Sequence, residues 1–318
     1  MEMNFLMSLG RRMKIFSLNG NRPLAEKIVQ SIGLSLGNVS VNHFADGEIQ
    51  IEINESVRGA DVYVIQSDSR PVNENFMELM IMLDALRRAS ASSITVVLPY
   101  FGYARSDHKN RSREPITAKL IANMIEMAGA SHVITVDLHT SQLEGFFDIP
   151  VDNLHAINLL AEYFLDNNLI NNTVVVAPDH NGVKDARKLA ELLHLPIAIT
   201  DLIEDDISVI GDVKNKNAII IDDMIDTGTR MMSAATTLKK YGAKEISVAA
   251  VHAVFSDGIT EKLKSTIIKR LVITNSIKIS SQNQLNKLIQ INVGELIGKS
   301  IVDLHSDRFS TSMLNVQY

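Results

Sequence analysis

Apolar positions along the chain follow two alternating rhythms. Short β-branched runs give way to longer stretches in which apolar residues recur every three or four places, and this exchange continues from end to end. In the first half, residues 14–18, 61–66, 94–99 and 133–137 read as strands, while 22–32, 74–89 and 117–127 carry helical spacing. Residues 39–53 read as a hairpin turning at Ala45-Asp46-Gly47, because Ile49, Ile51 and Ile53 alternate with Glu48, Gln50 and Glu52. The second half repeats the plan, with strands at 173–177, 197–200, 219–221, 246–251 and 271–274 and helices at 183–193, 231–241, 259–264 and 297–304. Strands alternating with helices predict an α/β fold whose sheets are mainly parallel and flanked by helices. Two such series of similar length predict two domains of one architecture, dividing near residues 150–158, with the last helix returning to the first domain.

The stretch 218–238, AIIIDDMIDTGTRMMSAATTL, concentrates the candidate chemistry. Ile219, Ile220 and Ile221 suit a strand covered on both faces, and Asp222 and Asp223 follow at its carboxyl end. Asp226-Thr227-Gly228-Thr229-Arg230 then supplies a turn with hydroxyls, one glycine and a cation ahead of a helix that stops at Gly242. Ligands of open α/β sheets bind outside the carboxyl ends of strands, where a helix N-terminus offers N–H groups to a phosphate. Paired carboxylates repel a phosphate but accept hydrogen bonds from sugar hydroxyls or hold a divalent cation. A phosphorylated sugar satisfies both halves. Taken alone, the same residues suit an ordinary capped turn equally well.

Three more polar loops follow predicted strands. Residues 100–115 hold three aromatics and five cations, counting His108, a set that stacks a base and binds phosphates or else forms a solvated basic loop. His139 follows the strand at 133–137, and Asp179 precedes the helix at 183–193, as a site residue or as a helix cap. Four such loops at one type of sheet edge reinforce one another.

Composition narrows the class. A length of 318 residues with 46% hydrophobic content supports about two domains with sizeable cores. The net charge of −6, from 31 basic and 37 acidic residues, argues against a nucleic-acid partner, since only local patches can offset phosphate repulsion. Zero cysteine excludes disulfides, zinc thiolates and cysteine nucleophiles, and fits a cytoplasmic protein. No apolar run approaches the ~20 residues that cross a bilayer. At the start, MEMNFLMSLGRRMKIF puts the Arg11-Arg12 pair after its apolar residues, the reverse of a secretion signal, and Met13 is a possible alternative start.

The segments HFADGEIQI, PVNENFMELMIMLDALRRASA, PYFGYARSDHKNRSREPITAKL, VDLHTSQLEGFFDIPVDNL, APDHNGVKDARKLA, IIIDDMIDTGT and LVITNSI together resemble the ribose-phosphate pyrophosphokinase (phosphoribosyl pyrophosphate synthetase) family, as a divergent member, from residue 14 to about 314. The resemblance implies two tandem phosphoribosyltransferase-like domains, one over 13–155 joined by a C-terminal helix at 296–314, the other over 156–295. It also implies transfer of the β,γ-diphosphoryl group of ATP to the 1-hydroxyl of ribose 5-phosphate, giving AMP, with Mg2+ as cofactor. Phe44, Asp46, Gly47 and Glu48 would then hold the adenine of ATP bound to a neighbouring subunit, and Arg105, Ser106 and Lys109 would contact ATP of their own subunit, with Asp152 near the nucleotide. His139 and Asp179 would be magnesium ligands. Asp222 and Asp223 would bind the ribose hydroxyls, and Asp226, Thr227, Gly228, Thr229 and Arg230 would cradle the 5-phosphate. The family assembles from dimers into hexamers, so the implied partners are the two substrates and further copies of the chain, with neither nucleic acid nor membrane.

The chain departs from the family pattern after residue 200. A long flexible loop with catalytic Lys and Arg is implied there, whereas this chain has Asp201 and then Leu202-Ile203-Glu204-Asp205-Asp206 in a shorter connection, with Leu202 and Glu204 at the cationic positions. Phosphoryl transfer relies on cations that neutralise charge in the transition state, so slow or absent turnover is expected. Ser106 stands for the usual Gln, Asn181 for a Gly, and Thr229-Arg230 for Gly-Thr. Arg230 either adds a phosphate contact or crowds the cradle. Two functions follow: a pyrophosphokinase for nucleotide biosynthesis, or a non-catalytic paralogue serving as regulatory subunit of an active homologue.

Overall fold

The computed structural model describes residues 12–203, 206–264 and 267–306. These fall into two compact units. The first comprises residues 12–155, Ser276–Lys278 and 293–306; the second comprises Ala156–Asn275 and Ile279–Asn292.

The first unit is built on a five-stranded parallel sheet. Its strands are β1 (Met13–Ser17), β4 (Asp61–Ile65), β5 (Ser93–Leu98), β6 (His132–Val136) and β7 (Val151–Leu154), adjacent in that order. A separate antiparallel hairpin pairs β2 (Val39–His43) with β3 (Ile49–Ile53). Helices α1 (Arg22–Ser31), α2 (Val72–Arg88) and α3 (Thr117–Ala128) connect these strands. In α2 the buried residues Phe76, Leu79, Met82, Leu83 and Leu86 recur at the helical period, and this stripe packs on Val62, Val64, Val96 and Leu98 of the sheet core. The last helix, α8 (Gly294–His305), lies against α1 so closely that a Cβ on Gly298 would stand 2.4 Å from Ser31 Oγ, so only glycine fits. The carbonyl of Ser276 accepts hydrogen bonds from Asn21 Nδ2 at 3.1 Å and Ser67 Oγ at 2.7 Å, fixing that short segment to the first unit.

The second unit has a seven-stranded sheet in the order β10-β9-β8-β11-β12-β13-β14. The ranges are β8 (Thr173–Ala177), β9 (Ile197–Ile203), β10 (Asp206–Ile210), β11 (Asn217–Ile225), β12 (Ile246–Ala253), β13 (Ile268–Thr274) and β14 (Leu288–Ile291). All neighbours run parallel except β10, which pairs antiparallel with β9 at the edge. Helices α4 (Ile157–Asp166), α5 (Val183–Leu193), α6 (Thr229–Lys240) and the short α7 (Ile259–Leu263) complete it. Every residue of β8 and β12 is buried, as expected for strands covered on both faces.

Several boundaries differ from the sequence expectations. Strand β7 lies in the stretch read only as a junction, helix α4 follows where no element was expected, and β10 and β14 carry no hydrophobic run long enough to announce a strand. Strand β11 does not stop before the acid pair: it continues through Asp222 and Asp223 to Ile225, because β12 keeps pairing with it as far as Ile225↔Ala253. Where a loop was expected after residue 200, β9 runs on to Ile203 and turns back as β10, with Ser208 opposite Asp201 and Ile207 opposite Leu202. Glu204 lies outside the described residues.

Candidate functional site

Strand order locates a crevice in the second unit. From β8 the chain passes to β9 on one side, and β11 inserts on the other, so the connections diverge at the β8–β11 pair. Such a switch point, at the carboxyl ends, is where open α/β sheets bind ligands. Ile220 is level with Val176, and extending that register by two residues puts Asp222 beside Pro178, next to Asp179. Thr200 Oγ1 on β9 donates to the carbonyl of Pro178 at 2.9 Å, which steadies the loop carrying Asp179.

Arg230, on the first turn of α6, connects these acids. Its Nη1 lies 3.0 Å from Asp179 Oδ2 and its Nη2 2.7 Å from Asp222 Oδ2. The first contact is a directed hydrogen bond; the second is a close ion pair without that alignment, which leaves Asp222 Oδ2 lacking a hydrogen-bond donor. Asp179 Oδ1 accepts the backbone N–H groups of Asn181 at 2.9 Å and Gly182 at 3.1 Å. Asp222 is buried, and burial together with the like charge of Asp223 pushes its carboxyl up to about 8 against the opposing pull of Arg230. Arg230 thus reaches across to the acids and does not turn into the cradle.

The cradle begins at Gly228, whose φ of +69° is the left-handed conformation glycine adopts without strain, directly ahead of α6. Thr227 Oγ1 donates to Thr229 Oγ1 at 3.3 Å. Lys262, from α7, donates through Nζ to the carbonyl of Thr227 at 3.2 Å and to Thr229 Oγ1 at 3.4 Å, placing a cation beside the helix N-terminus. Asp226 is a brace: Oδ1 accepts a short hydrogen bond from Ser256 Oγ, and its carbonyl accepts the N–H of Ser256 at 3.2 Å.

In the first unit, Phe44, Asp46, Gly47 and Glu48 form the tip of the β2–β3 hairpin. Phe44 N–H donates to Glu48 O at 2.8 Å, Glu48 N–H to Asp46 Oδ1 at 3.1 Å, and Gly47 has φ +94°. The Phe44 ring is 50% exposed, an unusual outlay for an aromatic that no core uses. Arg105 and Lys109 are exposed on the loop after β5, and Ser106 is bound into it by its N–H to Tyr103 O at 2.9 Å. Asp107, absent from the sequence reading, ties this loop to the one after β6. It accepts Thr140 Oγ1 at 2.7 Å and Gln142 Nε2 at 2.8 Å and contacts His108 Nδ1 at 2.6 Å. Burial opposes its ionisation, but the bonds from Thr140, His108 and Gln142 prevail and hold it below the usual carboxylate range. His108 is raised in return by Asp107 and feels the repulsion of His139, so both imidazoles belong to one neighbourhood.

Asp152 stands apart from that group. Its Oδ2 meets His132 Nε2 at 3.0 Å, and His132 opens β6, whereas His139 follows the other end of the same strand. Among the described residues, His43, Glu74 and Glu78 form a group with metal-ligand spacing that includes neither His139 nor Asp179. Glu78 is already committed to Asn19 Nδ2 at 2.6 Å, Asn19 N–H at 3.1 Å and Gln66 Nε2 at 3.2 Å.

Comparison with known proteins decides the family. Residues 13–129 match the N-terminal domain of ribose phosphate pyrophosphokinase, and residues 203–315 match the phosphoribosyl synthetase-associated domain. Ribose-phosphate pyrophosphokinase 2 of Enterococcus faecalis is 52% identical over 304 residues, covering 93% of this chain and 94% of that protein. The chain belongs to the ribose-phosphate pyrophosphokinase family. The Bacillus subtilis ribose-phosphate pyrophosphokinase is 49% identical, over 94% of this chain and 96% of that protein. The phosphoribosylpyrophosphate synthetase of Mycobacterium smegmatis superposes with a TM-score of 0.91 at 37% identity, covering 93% of this chain and all of that one. The two units of this pyrophosphokinase are accordingly phosphoribosyltransferase-like domains. Among its described residues no helix is long and apolar enough to cross a membrane.

Proposed function

We propose that this pyrophosphokinase makes 5-phosphoribosyl 1-pyrophosphate and AMP from ATP and ribose 5-phosphate, for nucleotide biosynthesis in the cytoplasm. The observation supporting it is the acid pair and phosphate cradle at the β8–β11 switch point, where Arg230 gathers Asp179 and Asp222. The 5-phosphate takes the N–H groups and hydroxyls of Thr227, Gly228 and Thr229, with Lys262 supplying positive charge. Asp222 and Asp223 bind the ribose hydroxyls as hydrogen-bonding partners. Asp226 acts through Ser256 by holding the cradle still.

With the sugar so fixed, its 1-hydroxyl oxygen attacks the β-phosphorus of ATP. The α,β-bridging bond breaks toward AMP, and the hydroxyl proton leaves to solvent or base. Phe44, Asp46, Gly47 and Glu48 hold adenine of a neighbouring subunit, and Arg105, Ser106 and Lys109 hold the phosphates, which makes the working form an oligomer of dimers forming a hexamer. Magnesium is the proposed cofactor; it would neutralise triphosphate charge, and His139 and Asp179 are each proposed as a residue that would hold it. Asp179 offers only what its bonds to Asn181, Gly182 and Arg230 leave over.

Turnover is slow, because Leu202 and Glu204 replace cations whose loss typically costs 10²–10³ in rate. The test is AMP release from ATP, Mg2+ and ribose 5-phosphate, with calorimetry for each ligand. Expected are ribose 5-phosphate binding, weak turnover, and a gain on introducing Leu202→Lys with Glu204→Arg. Absence of ribose 5-phosphate binding overturns the site assignment, and full turnover by the unaltered chain overturns the role given to the missing cations.

A further inference from the structure

Asp179 has little left to give a metal ion. Its Oδ1 accepts two backbone N–H groups, from Asn181 and Gly182, and its Oδ2 is taken by Arg230 Nη1 at 3.0 Å. A divalent cation coordinated to Oδ2 at the usual ~2 Å would be forced against the guanidinium, and two cations so close repel strongly. The same fork is anchored on its other side at Asp222 Oδ2, 2.7 Å away, where it is the counter-charge to a buried acid pair. The Arg230 side chain is still 45% exposed and sits on the first turn of α6, so it can swing off Asp179 without unpacking the helix.

We propose that Arg230 is a built-in counter-cation that gates metal binding: a divalent ion binds Asp179 only after Arg230 has left it. The inference rests on Asp179 being a metal ligand, as assigned above. In the ligand-free chain the guanidinium bridges Asp179 and Asp222. When the ion arrives, Arg230 retains Asp222 and turns its freed N–H groups outward, where the oxygens of a phosphorylated ligand can accept them. Sugar-phosphate and metal then help each other bind, because each favours the same displaced position of one side chain.

Mn2+ is the probe, its free concentration read by electron paramagnetic resonance in titrations of the full chain without nucleotide or sugar. Arg230→Ala is expected to tighten Mn2+ binding about tenfold or more, the factor that one charged hydrogen bond is worth. That gain should vanish when Asp179→Asn is added, and binding elsewhere on the chain cancels in the comparison. Arg230→Gln keeps most of the stem without the charge and supplies the same comparison if the alanine variant does not fold. Equal Mn2+ affinity in wild type and both Arg230 variants, with Asp179→Asn weakening all of them, overturns the gate and leaves the metal site standing. No effect of Asp179→Asn in any background removes Asp179 as a ligand and takes the gate with it.

Discussion

Asp68 offers the sharpest physical test in the first unit. It lies just past β4, is 1% exposed, and neither carboxylate oxygen has a hydrogen-bond partner among the described residues. Burial pushes its carboxyl from 3.8 up to about 7, and the nearby N–H of Gly102 pulls back only slightly without a well-directed bond. The sign follows from proton counting. Between pH 3.8 and about 7 the folded chain keeps a proton that the unfolded chain has released, so stability falls as pH rises through that window and stays low above it. At ~1.4 kcal/mol per pH unit the full cost is roughly 4 kcal/mol at pH 8.5 and less than half of that at pH 5. Asp68→Asn removes the ionisation and adds a fixed cost for a buried amide without partners. The stability difference between variant and wild type should therefore shift in favour of the variant by roughly 3 kcal/mol from pH 5 to pH 8.5. Urea unfolding followed by circular dichroism measures it, a backbone signal being appropriate for a chain with no Trp. Other titrating groups cancel, because each comparison is made at one pH. A difference that stays constant across the two pH values would refute the reasoning.

Gly102→Ala would set a Cβ 2.2 Å from Asp68 Oδ2 and 2.7 Å from the Asp68 carbonyl oxygen, so we expect a loss of about 1–3 kcal/mol in unfolding experiments. Gly228→Ala forces a left-handed alanine against Ile259 Cγ1 at 3.2 Å; the expected result is a loss of about 1 kcal/mol with weaker ribose 5-phosphate binding by calorimetry. Lys262→Ala removes the cation beside Thr227 and Thr229 and should raise KM for ribose 5-phosphate about 10–100-fold with a smaller change in kcat; an unchanged KM would exclude Lys262 from the cradle. Phe44→Ala leaves the core intact, since the ring is half exposed, so the melting temperature should hold while ATP affinity falls.

Legibility in the sequence tracked how local the determining forces were. Residues 174–177 and 248–251 are unbroken apolar runs, and the strands that contain them are buried throughout. The four-residue strand β14 has no such run and exists because β13 offers it a ladder from Leu271 to Thr274. Asp222 and Asp223 looked like the end of a strand because charge ordinarily leaves a sheet. They remain in β11 because β12 keeps bonding alongside and because Arg230 lies against Asp222. In the site, the cradle announced itself through adjacent residues, Asp226 to Arg230. Its supports did not: Ser256 lies 30 positions from Asp226 and Lys262 lies 35 from Thr227, separations at which no spacing rule operates. Asp107 was passed over for the opposite reason, hidden among exposed cations whose charge drew attention while its own was spent on Thr140 and Gln142.

Where a cation is held decides which step it can help. A Lys or Arg on a free loop is unpaired until the diphosphoryl group develops charge, so its interaction is realised late and appears in kcat. Arg230 is already neutralised by Asp179 and Asp222 before any ligand arrives, and whatever it gives to a bound phosphate is offset by what it gives up. On the proposed function, moving positive charge from the position of Leu202 to that of Arg230 would exchange transition-state stabilisation for a contact already made in the resting site. The β9–β10 hairpin acts in the same direction, since pairing Leu202 with Ile207 holds as strand a segment that the resemblance makes a free loop. On this argument, charge restored at 202 and 204 without added length recovers only part of the rate, and freeing the segment from the hairpin is needed for the rest.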